Sequence, residues 1–317
     1  MSRNAILAAA LGLSTVLGTG AALAADPAAC QAVRFSDVGW TDITATTATA
    51  SVVLEALGYA PSTQMLSVPV TYTSLSSGDI DVFLGNWMPT MEADIAPYRE
   101  DGSVETITTN LTGAKYTLAV PAYTYEAGLR SFEDIANFRD ELNGQIHGIE
   151  PGNDGNRLIL DMIEADQFGL AGFEVVESSE AGMLSAVTRA ARQQQHIVFL
   201  GWEPHPMNAN VDMEYLSGGD DVFGPDYGGA TVHTNVRAGY TDECPNVGRL
   251  LENLVFSLEM ENEIMGAILD DAQDPEVAAT EWLRENPQVL EAWLDGVTTF
   301  DGETEGLEAV RSGLGIN

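Results

Sequence analysis

Short β-like runs alternate with helical patterns along most of the chain, and this alternation limits the fold more than any other feature. The first series consists of AVRFSDV, a helix over 44–57, MLSVPV, a short helix near 71–75, and DVFLG. After residue 115 a second series consists of YTLAVPAY, QIHGIE, FEVVE and HIVFLG, with helices over 132–142, 157–165 and 181–193 between them. Strands that alternate with helices in this way indicate an α/β fold built from two units.

The N-terminus predicts an exported protein. Residues 1–4 carry one positive charge and no acid, residues 5–23 are apolar or small, and ALA at 22–24 is a small-x-small cleavage site. We expect a signal peptide over 1–25 and a periplasmic location. A membrane anchor is the alternative, which the glycine, serine and threonine residues within the apolar stretch disfavour.

The sequence contains two cysteines, Cys30 and Cys244. An oxidising compartment favours a disulfide between them, although two free thiols are an alternative. A disulfide would return the region after Cys244 to the start of the mature chain, so that the chain would cross between two lobes twice. We therefore expect a first lobe over 26–113, a second lobe over 114–206, and a return to the first lobe over 207–317. The returning part contains TVHTNVRAG, a long helix predicted over 246–270, and helices over 276–296.

Acidic residues outnumber basic ones by 48 to 13, which gives a net charge of −35 at pH 7. This surplus disfavours nucleic acid and anionic membrane surfaces as partners. Lys115 is the single lysine and does not lie in a GK[ST] context, which excludes a Walker-type nucleotide site. The acids are typical of a solvated surface, and they add only a modest, salt-screened attraction for cations.

One short pattern occurs twice, as VFLGNWMP at 82–89 and VFLGWEP at 198–204. Each copy is an apolar strand that ends in glycine, then Trp87 or Trp202, then a proline. Ligands of open α/β sheets gather beyond the carboxyl ends of strands, so we expect both indoles at a shared cleft. A third tryptophan, Trp40 in SDVGWTDIT, also lies at a predicted strand end. Two ordinary core tryptophans are the alternative to this interpretation.

Such a cleft suits a quaternary ammonium ligand. Indole and phenol faces attract diffuse cations without hydrogen bonds, and a trimethylammonium group has no N–H to donate. Three or four rings at about 1–2 kcal/mol each would supply roughly 4–8 kcal/mol. The upper end approaches the roughly 8 kcal/mol of a micromolar complex.

Five longer segments carry a family resemblance: RFSDVGWTDITATTATA, DVFLGNWMPTMEADIAPYRED, GIEPGNDGNRLI, VFLGWEPHPMNAN and YLSGGDDVFGP. With these segments the chain resembles the periplasmic choline-binding proteins of bacterial ABC importers, within the wider glycine betaine-type substrate-binding family. The resemblance covers essentially the whole mature chain. It implies a two-lobed, type II periplasmic binding protein, in which each lobe is a β-sheet flanked by helices and two crossover strands form the hinge.

The same resemblance implies the ligand and its site. Four rings would form a box around the ammonium group of choline, and two polar side chains would contact its hydroxyl group: Trp40, Trp87, Tyr116 and Trp202 for the box, Asp42 and Asn153 for the hydroxyl. Asp42 would also supply negative charge. Tyr116, Asn153 and Trp202 would come from the second lobe, so the box is complete only in the closed protein. A Cys30–Cys244 disulfide, an ABC permease as partner, a monomer, and no cofactor or metal are also implied.

Several of these residues also fit structural roles. Asp42 could cap the helix predicted from residue 44, Asn153 could cap the helix after EPGNDGN, and Tyr116 could pack in the core. A ligand with a carboxylate would require a basic partner in the site, such as Arg157 or His205. We expect Arg157 in a first helical turn with acidic neighbours and His205 in a structural turn. The alternative function is the same receptor tuned to glycine betaine or another methylated amine.

Sequence motifs argue against an enzyme. The sequence has no GxSxG, HExxH or CxxC motif, and its four histidines are widely scattered. The acidic loop at Asp220, Asp221 and Asp226 lacks the register of an EF-hand calcium site. We therefore expect a binding protein without catalytic activity.

Overall fold

The computed structural model describes residues 25–316, so the predicted signal peptide lies almost entirely outside the described residues. Within this range nine strands form one connected sheet: Ala32–Asp37 (β1), Ala60–Met65 (β2), Val82–Met88 (β3), Val104–Pro121 (β4), Gln145–His147 (β5), Glu174–Val176 (β6), Phe199–Glu203 (β7), Met213–Tyr215 (β8) and Gly229–Arg237 (β9). Helices surround these strands, which confirms the predicted α/β class.

The α-helices of the described range are Thr41–Ala56 (α1), Val68–Ser77 (α2), Glu92–Glu100 (α3), Ala122–Glu126 (α4), Asp154–Glu164 (α5), Glu180–Gln193 (α6), Met207–Asn210 (α7), Asp220–Phe223 (α8), Pro225–Gly228 (α9), Tyr240–Glu243 (α10), Pro245–Asn253 (α11), Leu258–Leu269 (α12), Pro275–Glu285 (α13), Val289–Trp293 (α14) and Gly306–Leu314 (α15). Short 3₁₀ helices cover Ala28–Cys30, Phe132–Phe138 and Gln167–Gly169. Among residues 25–316 no helix has both the length and the apolar character needed to cross a membrane.

The strand order is β2-β1-β3-β9-β4-β7-β5-β6, with β8 also paired to β4. Strands β1, β2 and β3 pair in parallel and form one unit, and β5, β6 and β7 form a second parallel unit. Two antiparallel strands connect the units. The first part of the 18-residue strand β4 pairs with β9, and its last part pairs with β7 and β8. Strands β4 and β9 are therefore the two crossover strands expected between the lobes, and through them the strands of both units form one connected sheet.

The segment after residue 206 stays beside the second unit before the chain returns. Strand β8 pairs with Ala119–Pro121 at the end of β4, and Ser217 forms a bridge with Ser131. The chain then re-enters the first unit along β9, which pairs with β3. The lobe boundary at 206 stays a prediction, and these pairings favour a later return, near residue 229.

The predicted disulfide between Cys30 and Cys244 is confirmed, with 5.6 Å between the two Cα atoms. Asp26 strengthens the same connection, because its carboxylate accepts hydrogen bonds from the backbone N–H groups of Asn246 and Val247 at 2.9 and 3.1 Å. The C-terminal helices α12 and α13 pack on α1 of the first unit. The end of the chain is therefore part of the unit in which the chain begins.

The prediction of a single helix over 246–270 is wrong, because the structure has two helices in this range, α11 and α12. Leu254 adopts an extended conformation, and the Ser257 side chain caps α12 by accepting a hydrogen bond from the Met260 N–H at 3.1 Å. Between them, the Phe256 N–H donates to the Asn110 carbonyl at 2.7 Å. This bond to β4 satisfies a backbone donor that a continuous helix would use internally.

Candidate functional site

The repeated sequence pattern supplies one tryptophan from each parallel unit. Trp87 lies in β3 and Trp202 lies in β7, and in each copy the peptide bond before the following proline, Pro89 or Pro204, is cis. Because β3 and β7 are in different units, the two indoles reach the same cavity from separate parts of the sheet.

A cavity lies between the units, and its walls are Trp40, Asp42, Trp87, Tyr116, Asn153, Asp154 and Trp202. The structure therefore brings together all six residues that the sequence predicted, and it adds Asp154. Each of the four rings is at most 5% exposed. The walls are aromatic and acidic, and no basic side chain is among them.

Tyr116 is the central ring of this group. It lies opposite Trp202 in the β4–β7 register, and their ring centroids are 6.3 Å apart at an interplanar angle of 82°. The Trp87 ring is 6.1 Å from Tyr116 at 61°. Aromatic rings favour such edge-to-face contacts, so the three rings hold one another in defined orientations.

Three neighbours fix the position of Tyr116. Its hydroxyl donates a hydrogen bond to Asn153 Oδ1 at 3.1 Å, and the buried ring of Phe223 packs against it edge-on at 5.9 Å. A Cβ atom at Gly155 would lie 2.0 Å from the Tyr116 Oη, so only glycine permits this approach. Tyr116 is therefore buried, as the core interpretation predicted, and it also forms a wall of the cavity.

Asp42 lies inside the first turn of α1, which begins at Thr41, three residues earlier than predicted, with Trp40 as its N-cap. Asp42 Oδ2 accepts a hydrogen bond from Trp87 Nε1 at 3.0 Å, so the side chain contacts the box instead of capping the helix end. Burial, with a smaller contribution from the charge of Glu180, raises the pKa of Asp42 to about 8.

Asn153 combines the two roles that the sequence left open. It is the N-cap of α5, and its Oδ1 accepts a hydrogen bond from the Asn156 N–H at 3.0 Å. The same side chain lines the cavity and accepts the hydrogen bond from Tyr116. One side chain therefore caps the helix and forms a wall of the cavity.

Asp154 is the cavity residue that the sequence analysis missed. It is fully buried, and its Oδ1 accepts a hydrogen bond from Asn153 Nδ2 at 3.1 Å. Burial raises the pKa of this carboxyl to about 7. An acid directly after an N-cap is usual in a first helical turn, so only its position next to Asn153 in EPGNDGN could have indicated the cavity.

Hydrogen bonds around the cavity connect residues before 113 with residues after 114. Trp40 Nε1 donates to Glu150 Oε1 at 2.8 Å. Glu180 accepts two hydrogen bonds from Thr41, at 2.8 Å from the backbone N–H and at 2.5 Å from the hydroxyl. The Glu180 carboxylate therefore lies at the N-terminus of α1, where the helix dipole favours negative charge.

Arg157 and His205 do not line the cavity, as expected for structural residues. Arg157 forms a salt bridge with Asp94 at 2.6 Å and also donates to the Thr90 carbonyl at 3.2 Å. The buried His205 lies with its Nε2 3.2 Å from Glu180 Oε1. Both basic groups are therefore already paired with acids outside the cavity.

The sequence profile of the substrate-binding domain of ABC-type glycine betaine transport systems matches residues 31–285. The chain belongs to this family. The resemblance found in the sequence is therefore confirmed at the level of the family.

Across residues 25–316 there is no group of three or more His, Cys, Asp or Glu side chains placed to hold a metal ion.

Relatives within this family include two solved structures of choline-binding proteins. One is an ABC-transporter choline-binding protein in complex with choline, which is 70% identical and has a TM-score of 0.90 over 91% of this chain and 100% of that chain. The other, in an unliganded semi-closed conformation, is 70% identical with a TM-score of 0.83 over 90% of this chain and 99% of that chain. The glycine betaine/carnitine transport binding protein GbuC of Listeria monocytogenes is 29% identical over 59% of this chain and 60% of its own length.

The similarity to these substrate-binding structures confirms the predicted two-lobed, type II fold. All three relatives are binding proteins of transporters, which confirms that this member of the family is a binding protein and not an enzyme.

Proposed function

We propose that this chain is the periplasmic receptor of an ABC importer, which captures choline in the cavity and delivers it to a permease in the inner membrane. The observation that carries the proposal is the composition of the cavity walls, which are four buried rings, two buried acids and the amide of Asn153, without a basic side chain. The 70% identity to a protein solved with choline supports the same ligand.

In this proposal the four rings surround the trimethylammonium group, because their electron-rich faces attract a diffuse cation. Asp42 and Asn153 contact the hydroxyl group at the other end of the ligand. Both carry oxygen atoms at the cavity that accept hydrogen bonds, and Asn153 also has an N–H donor. The site therefore needs no cofactor or metal.

The receptor closes on its ligand by moving two lobes about a hinge formed by β4 and β9. The first lobe is formed by 26–113 and the end of the chain, and the second begins at 114. The pairing of β8 with β4 supports assigning 207–228 to the second lobe. The TM-score is higher against the choline-bound structure than against the semi-closed one, which supports a closed arrangement here. The ligand stabilises the closed state, and the permease recognises that state.

The receptor reaches the periplasm through a signal peptide over residues 1–25 and acts there as a monomer. The small-x-small site before residue 25 and the transporter family both support export. The permease is its protein partner.

Choline is expected to bind with micromolar or tighter affinity, and glycine betaine at least about tenfold more weakly. The carboxylate of glycine betaine would meet two acids and no basic side chain, whereas the hydroxyl group of choline is uncharged. Isothermal titration calorimetry with choline, acetylcholine and glycine betaine measures this preference. Tighter binding of glycine betaine than of choline would instead favour the alternative receptor.

Thr41 of the first lobe donates two hydrogen bonds to Glu180 of the second, so these bonds hold the two lobes together in the closed state. Glu180→Gln is therefore expected to weaken choline binding by about 1–3 kcal/mol, mainly through faster dissociation. Glu174→Gln, which removes the charge of an exposed acid on β6, is the matched control. Stopped-flow tryptophan fluorescence measures the dissociation rates. Equal rates in the wild type and in Glu180→Gln would remove this contact from the closing mechanism.

A further inference from the structure

Helix α1 begins at the cavity, and its own N-cap residue supplies no side-chain acceptor for the first N–H groups. Trp40 is that N-cap and makes no capping hydrogen bond, because an indole has a donor and no acceptor. Glu180 of α6 takes this role. Its Oε2 accepts from the Thr41 N–H at 2.8 Å, and its Oε1 accepts from the Thr41 hydroxyl at 2.5 Å. The second lobe therefore caps a helix of the first lobe.

This cap fixes the part of α1 that contacts the ligand in the proposed function. Trp40 and Asp42, on either side of Thr41 in the sequence, both line the cavity. Glu180 is 4% exposed, and a buried carboxylate is unfavourable unless hydrogen bonds satisfy it. When the lobes separate, Glu180 loses both bonds from Thr41. It then needs a hydrogen-bond donor within its own lobe.

His205 is that donor. It is 2% exposed, and its Nδ1 accepts a hydrogen bond from the Met207 N–H at 2.9 Å. Nδ1 therefore carries no proton, so the ring proton lies on Nε2. Nε2 lies 3.2 Å from Glu180 Oε1 and donates a hydrogen bond to this oxygen. The backbone at Met207 thus sets the tautomer of His205, and the tautomer sets the direction of the bond to Glu180.

His205 also contacts one ring of the box. Its ring centroid is 4.8 Å from that of Trp202 at an interplanar angle of 73°, which is an edge-to-face contact. Trp202 lies in β7 and His205 follows that strand, whereas Glu180 is the first residue of α6. His205 therefore joins a cavity wall of the second lobe to the carboxylate that caps α1 of the first lobe.

We propose that His205 is a positioning residue for lobe closure. It holds the Glu180 carboxylate oriented in the open receptor, so that Glu180 caps α1 when the lobes close on the ligand. The inference rests on the proposed function and adds to it a residue that does not line the cavity. A pre-oriented carboxylate loses less conformational freedom on closure, which stabilises the closed complex. The bound ligand then dissociates more slowly.

Stopped-flow tryptophan fluorescence with choline at pH 7 tests the Nε2 donor. His205→Asn keeps an acceptor for the Met207 N–H and loses this donor, so dissociation should be about tenfold faster, with association changed by less than about twofold. His205→Gln places an amide N–H near the position of Nε2 and should recover most of the loss. Because glutamine lacks the ring that contacts Trp202, this recovery separates the hydrogen bond from ring packing. His147→Asn, at a partly buried histidine of β5 outside the cavity, is the matched control.

The variant Glu180→Ala tests whether His205 acts through this carboxylate. Glu180→Ala protein has no carboxylate to orient, so adding His205→Asn should change the dissociation rate by less than about twofold. A tenfold acceleration in both backgrounds would overturn the proposal, and so would equal dissociation rates in His205→Asn and His205→Gln. A wild-type protein that does not bind choline would instead refute the proposed function, so the two failures are distinguishable.

A measurement on the wild type does not depend on the folding of any variant. In protein labelled with ¹⁵N at the histidine rings, NMR should show His205 with a protonated Nε2 and an unprotonated Nδ1, both without ligand and with saturating choline. The scalar coupling across the hydrogen bond from the Met207 N–H to Nδ1 assigns the ring. A proton on Nδ1, or an Nε2 without a proton in the ligand-free protein, would contradict the proposal, because Glu180 would then lack this donor in the open receptor.

Discussion

Trp87→Ala is expected to lower choline affinity by about 3 kcal/mol, which is more than 100-fold. Two contributions add. Trp87 is only 4% exposed, and a cation–π contact in such a desolvated site is worth about 2 kcal/mol. Its Nε1 also donates to Asp42 and so orients this carboxyl group at the cavity, and loss of that orientation is expected to cost about 1 kcal/mol of binding energy. Calorimetry at pH 7 measures the change.

Two further variants separate these contributions. Trp87→Phe keeps an aromatic face and loses the N–H donor, so it should recover much of the cation–π energy and retain a loss of about 1 kcal/mol. Trp282→Ala removes an indole whose Nε1 donates to Glu263 on the helices at the end of the chain, and it should leave affinity unchanged. Wild-type affinity in Trp87→Ala protein that retains its circular dichroism spectrum would remove Trp87 from the site.

The tryptophans of the site were predictable because the residues next to them in the sequence indicate where they lie in the fold. An apolar strand followed by glycine, tryptophan and proline marks a strand end, and strand ends of α/β sheets face ligand clefts. Tyr116 has no such local signal, because YTLAVPAY describes any buried strand. Its role depends on its pairing opposite Trp202 and on its close approach to Gly155, and both contacts join distant parts of the chain. Only the family resemblance indicated it.

The α/β alternation predicted the class of the fold. It did not predict the secondary structure of segments whose conformation depends on contacts with residues far away in the sequence. The first part of β4, in VETITTNLTG, is a strand because β9 pairs with it, and β9 lies more than 100 residues later. The apolar residues between α11 and α12 continue a helical period, yet the bond from Phe256 to Asn110 ends the helix. Asp154 was missed for a similar reason, since its burial comes from packing that its own helix does not reveal.

Removal of the disulfide by Cys30→Ser/Cys244→Ser is expected to lower the free energy of unfolding by up to about 5 kcal/mol. The two cysteines are 214 residues apart, so the bond closes a very long loop and restricts the unfolded chain strongly. Residual structure in the unfolded state reduces the loss, and in the folded state Asp26 still bonds to Asn246 and Val247. Urea unfolding followed by circular dichroism measures the difference.

Choline affinity of the double variant should be close to that of the wild type, because neither cysteine lines the cavity and the Asp26 bonds keep the chain start in place. A Cys30→Ala/Cys244→Ala variant controls for the two buried hydroxyl groups that serine introduces. Wild-type protein reduced with dithiothreitol should have nearly the same free energy of unfolding as the two double variants. A loss below about 1 kcal/mol in all three would contradict the expected effect of the long loop and would indicate that the reduced, unfolded chain remains compact.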